Sequence, residues 1–156
     1  MGRMDELKKR YKNFQLALDS LFISINNYKT VLKLQDHSEL YEKTFQGDYE
    51  NYYRTVRDSL IQRFEYCVDS VWKYLKFYLE NIEKITLETK SPRGIIREAC
   101  QARILNEKDT QLLLKMIDYR NKTSHIYKEE TADIISKEVP NFYLLMRKIF
   151  DSLRIN

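Results

Sequence analysis

Eight apolar residues near the start of the chain follow one another at alternating steps of four and three positions. They are Leu7, Tyr11, Phe14, Leu18, Leu21, Ile25, Tyr28 and Leu32. Because residues three and four apart share one face of an α-helix, this spacing draws a single apolar seam along a long helix. Such a seam must be covered by other helices, so the segment predicts a helical bundle.

Two later segments carry similar apolar patterns. Residues 52–81 form a wide stripe, which indicates a helix buried against two neighbours: Tyr53, Val56, Leu60, Ile61, Phe64, Cys67, Val68, Val71, Trp72, Leu75 and Leu79. A last helix is predicted to begin near Glu129 to Thr131 and to bury Ile135, Val139, Phe142, Met146, Ile149 and Leu153. Pro140 predicts a kink in it rather than a break, because the stripe keeps its phase across the proline.

A shorter pair of helices is expected between the two long stripes. Ser91-Pro92 is a typical helix start, and that helix is expected to carry Ile95, Ile96, Ala99 and Cys100 inward and to stop near Ile104. Asn106, with Asp109 three residues on, predicts the start of the next helix, which holds Leu112, Leu113, Met116 and Ile117.

Turn-forming residues are rare outside the segment 35–48, which we interpret as a loop with a candidate short helix at 40–45. The whole chain has only three glycines and two prolines, which leaves little support for tight hairpins. We therefore predict an all-α fold: an antiparallel up-and-down bundle of four to five helices, forming one domain over residues 1–156.

Composition narrows the class of protein. The net charge of +4 comes from 27 basic and 23 acidic residues spread along the chain, which permits contact with RNA but indicates no dedicated basic face. No apolar run suits a signal peptide or a membrane span, so a cytoplasmic protein without a membrane partner is expected. Cys67 and Cys100 are interpreted as reduced core residues, and most of the twelve tyrosines as helix-packing aromatics.

Several kinds of site have no support in the sequence. The chain has two histidines, and His37 stands in a polar segment without a second His or Cys at ligand spacing. We find no glycine-rich phosphate loop, no paired-carboxylate motif and no nucleophilic Ser or Cys with a base beside it. The sequence therefore predicts no metal and no cofactor.

One polar cluster remains, at residues 120–127, between the fourth and last helices. It holds Arg120, Asn121, His125 and Tyr127. In a continuous helix Arg120 and His125 would lie roughly 140° apart, so they converge only if the helix ends between Asn121 and Ser124. Converged, an arginine that binds phosphate and a histidine that moves a proton suit RNA cleavage by the RNA's own 2′-hydroxyl. The alternative is a capped helix end with a salt-bridged arginine.

The spacing of Arg120, His125 and Tyr127 resembles the R-x4-H-x-Y motif of the HEPN superfamily, in the branch of HepT toxins and nucleotidyltransferase substrate-binding proteins. Residues 57–65 and 72–76 resemble the long central helix of that family. Residues 91–99 resemble its next helix, and residues 118–125 the approach to its motif. The resemblance thus covers most of residues 53–130, with flanking helices that agree in pattern.

The resemblance implies a HEPN-type homodimer in which the motifs of both subunits face one cleft. Family members with an intact motif are typically metal-independent endoribonucleases. By this resemblance Arg120 would hold the scissile phosphate, His125 would transfer a proton, and Asn121 would occupy a polar position that such motifs commonly keep. Arg57, Arg63 and Glu65, beside the apolar stripe, are expected to form a buried or interfacial ion-pair network rather than a catalytic group.

The same resemblance implies a partner, a minimal nucleotidyltransferase of the MntA-like kind, which would act as antitoxin by transferring AMP to Tyr127. A phosphate-bearing adduct two residues from His125 would block the cleft and repel RNA. Alternatively, Tyr127 packs against the dimer partner. Two other functions stay open: a non-catalytic substrate-binding subunit of a nucleotidyltransferase complex, and a scaffold with a vestigial motif.

Overall fold

A computed structural model describes residues 2–35 and 48–155, and in these ranges the chain is helical with no β-strand. The helices are α1 (Arg3–Leu34), α2 (Tyr49–Asn81), α3 (Pro92–Gln101), α4 (Glu107–Lys122) and α5 (Glu129–Ser152), with a 3₁₀ turn at Thr123–His125 between the last two. The predicted all-α class and helical bundle are confirmed. His37 and the short helix expected at 40–45 lie outside the described residues.

Three helices begin at side-chain caps that are visible in the sequence. Asp48, Ser91 and Asn106 each accept a hydrogen bond from the backbone N–H three residues further on. Each such cap satisfies a backbone donor that has no partner inside the helix, which is worth about 1 kcal/mol. Asp48 caps α2 rather than closing a loop, so this helix begins three residues before its predicted start.

The core lies between α1, α2 and α5, and the shorter α3 and α4 close its side. The seam of α1 is buried as predicted from Leu7 to Tyr28, except that Tyr11 is only half-buried. At the end of α1 the prediction was wrong for Leu32, which is exposed and lines a groove that also contains Pro140 of α5. Val31 is buried instead, because the start of α2 covers that side and the Tyr49 hydroxyl donates to the Val31 carbonyl over 2.9 Å.

An aromatic cluster joins three helices next to the polar segment found in the sequence. The rings of Phe64 on α2 and Phe142 on α5 are stacked with centroids 5.6 Å apart. Tyr119 on α4 meets Phe142 edge-on at 5.2 Å. Both phenylalanines are fully buried. The backbone immediately before Arg120 is therefore fixed by core packing.

The expected end of α3 and the expected burial of Cys100 were wrong. The helix ends at Gln101, because Arg103 adopts a left-handed φ of 60° and the Ile104 and Leu105 N–H groups turn back to the Ala99 carbonyl. Cys100 is only half-buried, whereas Cys67 lies in the core, and both are free thiols. Helix α5 continues through Pro140. None of the helices described is long and apolar enough to cross a membrane.

Candidate active site

The polar segment of the sequence forms a tight connection between α4 and α5. Helix α4 ends at Lys122, as the local chemistry of Thr123 and Ser124 predicted, and one 3₁₀ turn follows. The Thr123 side chain is buried, and its hydroxyl donates to the Arg120 carbonyl over 2.7 Å. Lys128 then donates its backbone N–H to the His125 carbonyl at 3.0 Å, one residue before α5 begins. The motif residues therefore lie on a turn with a defined backbone.

Arg120 is held by two carboxylates of α2 that the sequence analysis had not connected with it. Its Nη1 lies 3.0 Å from Glu65 Oε2, while Nε and Nη2 lie 3.4 and 3.3 Å from the two carboxylate oxygens of Asp69. Nη1 also donates to the Thr123 hydroxyl at 3.2 Å. We call this arrangement of Arg120 with Glu65, Asp69 and Thr123 the arginine clamp.

The clamp orients the guanidinium without burying it. Three of the five guanidinium N–H groups donate hydrogen bonds, which go to Asp69 and Thr123. The side chain of Arg120 remains 31% exposed, so an anion from solvent can reach it. Two carboxylates around one guanidinium leave a local charge of −1, which weakens the attraction of this site for a phosphate. A phosphate must therefore use the N–H groups that Asp69 and Thr123 leave free.

His125 and Tyr127 form a second pair on the exposed side of the turn. The Tyr127 hydroxyl lies 3.5 Å from His125 Nδ1, and the two rings meet edge-on with centroids 6.0 Å apart. Tyr127 is 73% exposed, more than any other large hydrophobic side chain among those described. No hydrogen bond between described residues joins His125 to Arg120. The structure thus brings His125 to Tyr127 and fixes Arg120 through its contacts with α2.

Asn121 follows Arg120 on the exposed surface of α4. Its backbone carbonyl accepts a hydrogen bond from the Ser124 hydroxyl at 3.3 Å. The side-chain amide of Asn121 makes no hydrogen bond with any residue in the described ranges, so this amide is free to contact a ligand at the turn. The role that the sequence predicts for Asn121 stays a prediction.

A buried ion-pair network anchors the other end of the turn, at the start of α5. Arg57 of α2 is 1% exposed, and its guanidinium reaches Glu129 at 2.6 Å, Asp133 at 3.1 Å and Asp58 at 3.0 Å. The hydrogen bond from Arg57 holds the pKa of Glu129 below its ordinary value. The predicted ion-pair network is confirmed for Arg57, whereas Glu65 belongs to the arginine clamp. The prediction was wrong for Arg63, which is exposed and forms no ion pair among the described residues.

In the part of the chain that the structure describes, no three His, Cys, Asp or Glu side chains are grouped so that they could hold a metal ion. The polar groups of the turn are the arginine clamp, the His125–Tyr127 pair and the exposed Asn121. Together they offer one oriented cation, one titratable ring and one accessible phenol. This is a set of groups suited to contacting phosphate and moving a proton.

The protein is thus an all-helical bundle with an Arg–His–Tyr turn between its last two helices. A sequence model of one family, described as "Nucleotidyltransferase substrate binding protein like", matches residues 9–155. Since this match covers nearly the whole chain, the protein belongs to that family. No curated protein matches the chain.

Solved structures resemble the bundle over nearly its full length. A protein of Thermus thermophilus is 30% identical, with a TM-score of 0.62 over 86% of this chain and 99% of the other. A toxin–antitoxin structure with AMP-PNP is 17% identical, with a TM-score of 0.60 over 90% and 97% of the two chains. A mutant MntA–HpeT toxin–antitoxin structure is 18% identical, with a TM-score of 0.61 over 90% and 96%. The last two likenesses establish the shared fold.

Proposed function

We propose that this protein is the toxin of a toxin–antitoxin pair: a metal-independent endoribonuclease that a cognate minimal nucleotidyltransferase neutralises by AMPylating Tyr127. The observation that carries the proposal is the turn itself, where Arg120 is oriented by a clamp and His125 and Tyr127 are exposed together. The likeness of the fold to chains of two toxin–antitoxin structures supports it.

The proposed reaction needs no group beyond the RNA and the protein. The ribose 2′-oxygen attacks the adjacent phosphorus, the bond from phosphorus to the 5′-oxygen breaks, and Arg120 stabilises the negative charge that builds up on the phosphoryl oxygens. One proton leaves the 2′-hydroxyl and one reaches the 5′-oxygen. The turn has one histidine, so we assign one transfer to His125 and the other to His125 of a second copy in a homodimer.

The products identify this chemistry. We would purify the protein without any nucleotidyltransferase, verify by intact mass that it is unmodified, and incubate it with total tRNA and mRNA in EDTA. The expected products carry 2′,3′-cyclic phosphate on one fragment and a 5′-hydroxyl on the other. Absence of cleavage from unmodified, dimeric protein would contradict the nuclease proposal for these RNAs.

A second candidate function follows from the family description, which concerns substrate binding to a nucleotidyltransferase. In that case the protein is a non-catalytic subunit whose turn presents Tyr127 or a bound substrate to the transferase, and the 73% exposure of Tyr127 suits that task equally well. The two functions predict the same partner. They differ in RNA cleavage, which only the toxin performs.

We expect Tyr127→Phe to abolish modification while it preserves RNA cleavage. The substitution removes the acceptor oxygen and one long hydrogen bond to His125, and the loss of such a bond should change the cleavage rate less than about tenfold. Modification is measured by intact mass after incubation with the transferase and ATP. Tyr66→Phe is the matched control, since Tyr66 is also exposed but lies outside the turn. Modification of the Tyr127→Phe protein at an equal rate would exclude Tyr127 as the acceptor.

We expect Asp69→Asn to separate catalysis from binding. Without the Asp69 carboxylate the guanidinium loses its bidentate partner, and poorer positioning of the phosphate should lower kcat about 10- to 100-fold. The KM for RNA should stay equal or fall, because a negative charge near the phosphate has been removed. Asp118→Asn is the matched control, since Asp118 pairs with Arg93 on an exposed surface. An unchanged kcat would show that the clamp does not position Arg120 for the reaction.

A further inference from the structure

A groove between α1 and α2 lies beside the arginine clamp. It consists of two adjacent hollows of about 290 and 300 Å³ that share Asn13, Tyr66 and Ser70 in their lining. The second hollow is also lined by the apolar Leu16 and Ala17. The first hollow also contains Asp69, whose carboxylate holds Arg120. The groove therefore reaches the residue that positions Arg120.

The groove carries an excess of positive charge. Arg63 lines one hollow and Lys73 the other, and neither forms an ion pair with any residue of the described ranges. Asp69 pairs with Arg120, which it shares with Glu65, and Arg10 at the groove wall is paired with Glu6 at 2.9 Å. Two cations without carboxylate partners are thus left for an anionic ligand.

An exposed aromatic ring lies between these two cations. Tyr66 is 50% exposed, and in the described part of the chain its ring stacks on no other ring and its hydroxyl makes no hydrogen bond. Arg63, Tyr66, Ser70 and Lys73 follow at steps of three, four and three residues, so they share one face of α2. Along the helix axis Arg63 and Lys73 are about 15 Å apart.

We propose that this groove binds single-stranded RNA beside the bond to be cut, with phosphates on Arg63 and Lys73 and a base stacked on Tyr66. The proposal rests on the ribonuclease function proposed above and adds the path of the substrate. A cationic groove with an aromatic platform is the usual way in which proteins bind single strands without sequence preference. The two cations without carboxylate partners favour a polyanion over a protein partner as the occupant.

The test measures binding separately from cleavage. The probe is a fluorescent single-stranded oligoribonucleotide of roughly 12 nucleotides whose 2′-hydroxyls are methylated, so that it cannot be cut. By anisotropy we expect Tyr66→Ala to weaken binding about tenfold and Tyr66→Phe to retain it, because the phenyl ring keeps the stacking face. For the double variant Arg63→Ala/Lys73→Ala, the slope of log affinity against log salt should become shallower by about 1.4, for two lost phosphate contacts.

Arg97→Ala/Lys108→Ala is the matched control. It removes one arginine and one lysine that are exposed and, like the two groove cations, without carboxylate partners among the described residues, on α3 and at the start of α4. We expect its affinity to change less than that of the groove variant and its salt slope to stay as in wild type. Equal affinities and slopes for the two double variants overturn the groove proposal, and so does a groove variant that loses only homodimerisation or nucleotidyltransferase binding. Cleavage of unmethylated RNA by the wild-type protein then decides the proposed function separately.

Discussion

His125→Ala should lower the rate of RNA cleavage about 10²- to 10⁴-fold, the usual contribution of a general acid or base. The histidine is exposed on the 3₁₀ turn, and among the described residues its side chain forms a ring pair and a hydrogen bond only with Tyr127. The substitution should therefore leave the free energy of unfolding within about 0.5 kcal/mol of wild type. Initial rates on end-labelled RNA in EDTA, together with denaturant unfolding curves, measure both effects.

Two further variants support the interpretation of this experiment. Arg120→Lys keeps the positive charge but loses the planar fork that the clamp orients, so a large loss of cleavage by this variant shows that bidentate geometry matters. Ser124→Ala removes an exposed hydroxyl from the same turn and should cleave at the wild-type rate. Cleavage by folded, unmodified His125→Ala at the wild-type rate would remove His125 from the mechanism.

Much of the helical scaffold was predictable because burial follows helical periodicity. The seam from Leu7 to Tyr28 and the stripe of α2 were recognised from spacing alone, and the caps at Ser91 and Asn106 from residue type. The errors fall at helix ends. There, local chemistry competes with packing: Asp48 suits a turn as well as a cap, and nothing in the sequence near Arg103 indicates a left-handed backbone.

The site was predictable in its residues but not in its contacts. The end of α4 before Ser124 follows from the hydroxyl residues of the turn, which are local signals. Asp69, one of the two carboxylate partners of Arg120, lies 51 residues away from it in the sequence. No local sequence pattern shows that the two residues are close in space. The available signal was the spacing of Glu65 and Asp69, two carboxylates one turn apart beside a buried stripe, which predicts a cationic partner on a neighbouring helix.

Helix α2 supports the whole turn, since it holds the motif from both sides. Glu65 and Asp69 fix Arg120 before the turn, and Arg57 fixes Glu129 directly after it. These three residues lie within 12 positions of one helix, which the core makes rigid through fully buried neighbours such as Leu60, Ile61, Phe64 and Val68. His125 and Tyr127 can therefore be exposed to solvent while the backbone that carries them stays in place.

Arg57→Ala should lower the free energy of unfolding by about 3 kcal/mol and the Tm by about 6–12 °C. The guanidinium is buried and bonded to Glu129, Asp133 and Asp58, so alanine leaves a cavity and three carboxylates without their buried cation. Glu129 keeps its contact with Arg54, and Asp133 keeps the hydrogen bond from the Tyr53 hydroxyl. The loss in free energy of unfolding should be near the lower limit for a broken buried ion pair, because these carboxylates are partly exposed and become hydrated again. Urea unfolding of Arg57→Ala and wild type at neutral pH measures the difference.

The control and the pH dependence distinguish the buried network from an ordinary surface ion pair. Arg54 contacts the same Glu129 at 3.4 Å but is 47% exposed, so Arg54→Ala should cost less than about 0.5 kcal/mol.

Arg57 lowers the folded-state pKa of Glu129. The stabilisation by the Arg57–Glu129 pair is therefore complete above the unfolded pKa of about 4.3 and is lost as the pH falls through the folded-state pKa. The stability difference between wild type and Arg57→Ala should therefore narrow below about pH 4. A difference that stays constant from neutral pH to about pH 3 would assign the effect of Arg57 to packing alone, without its charge.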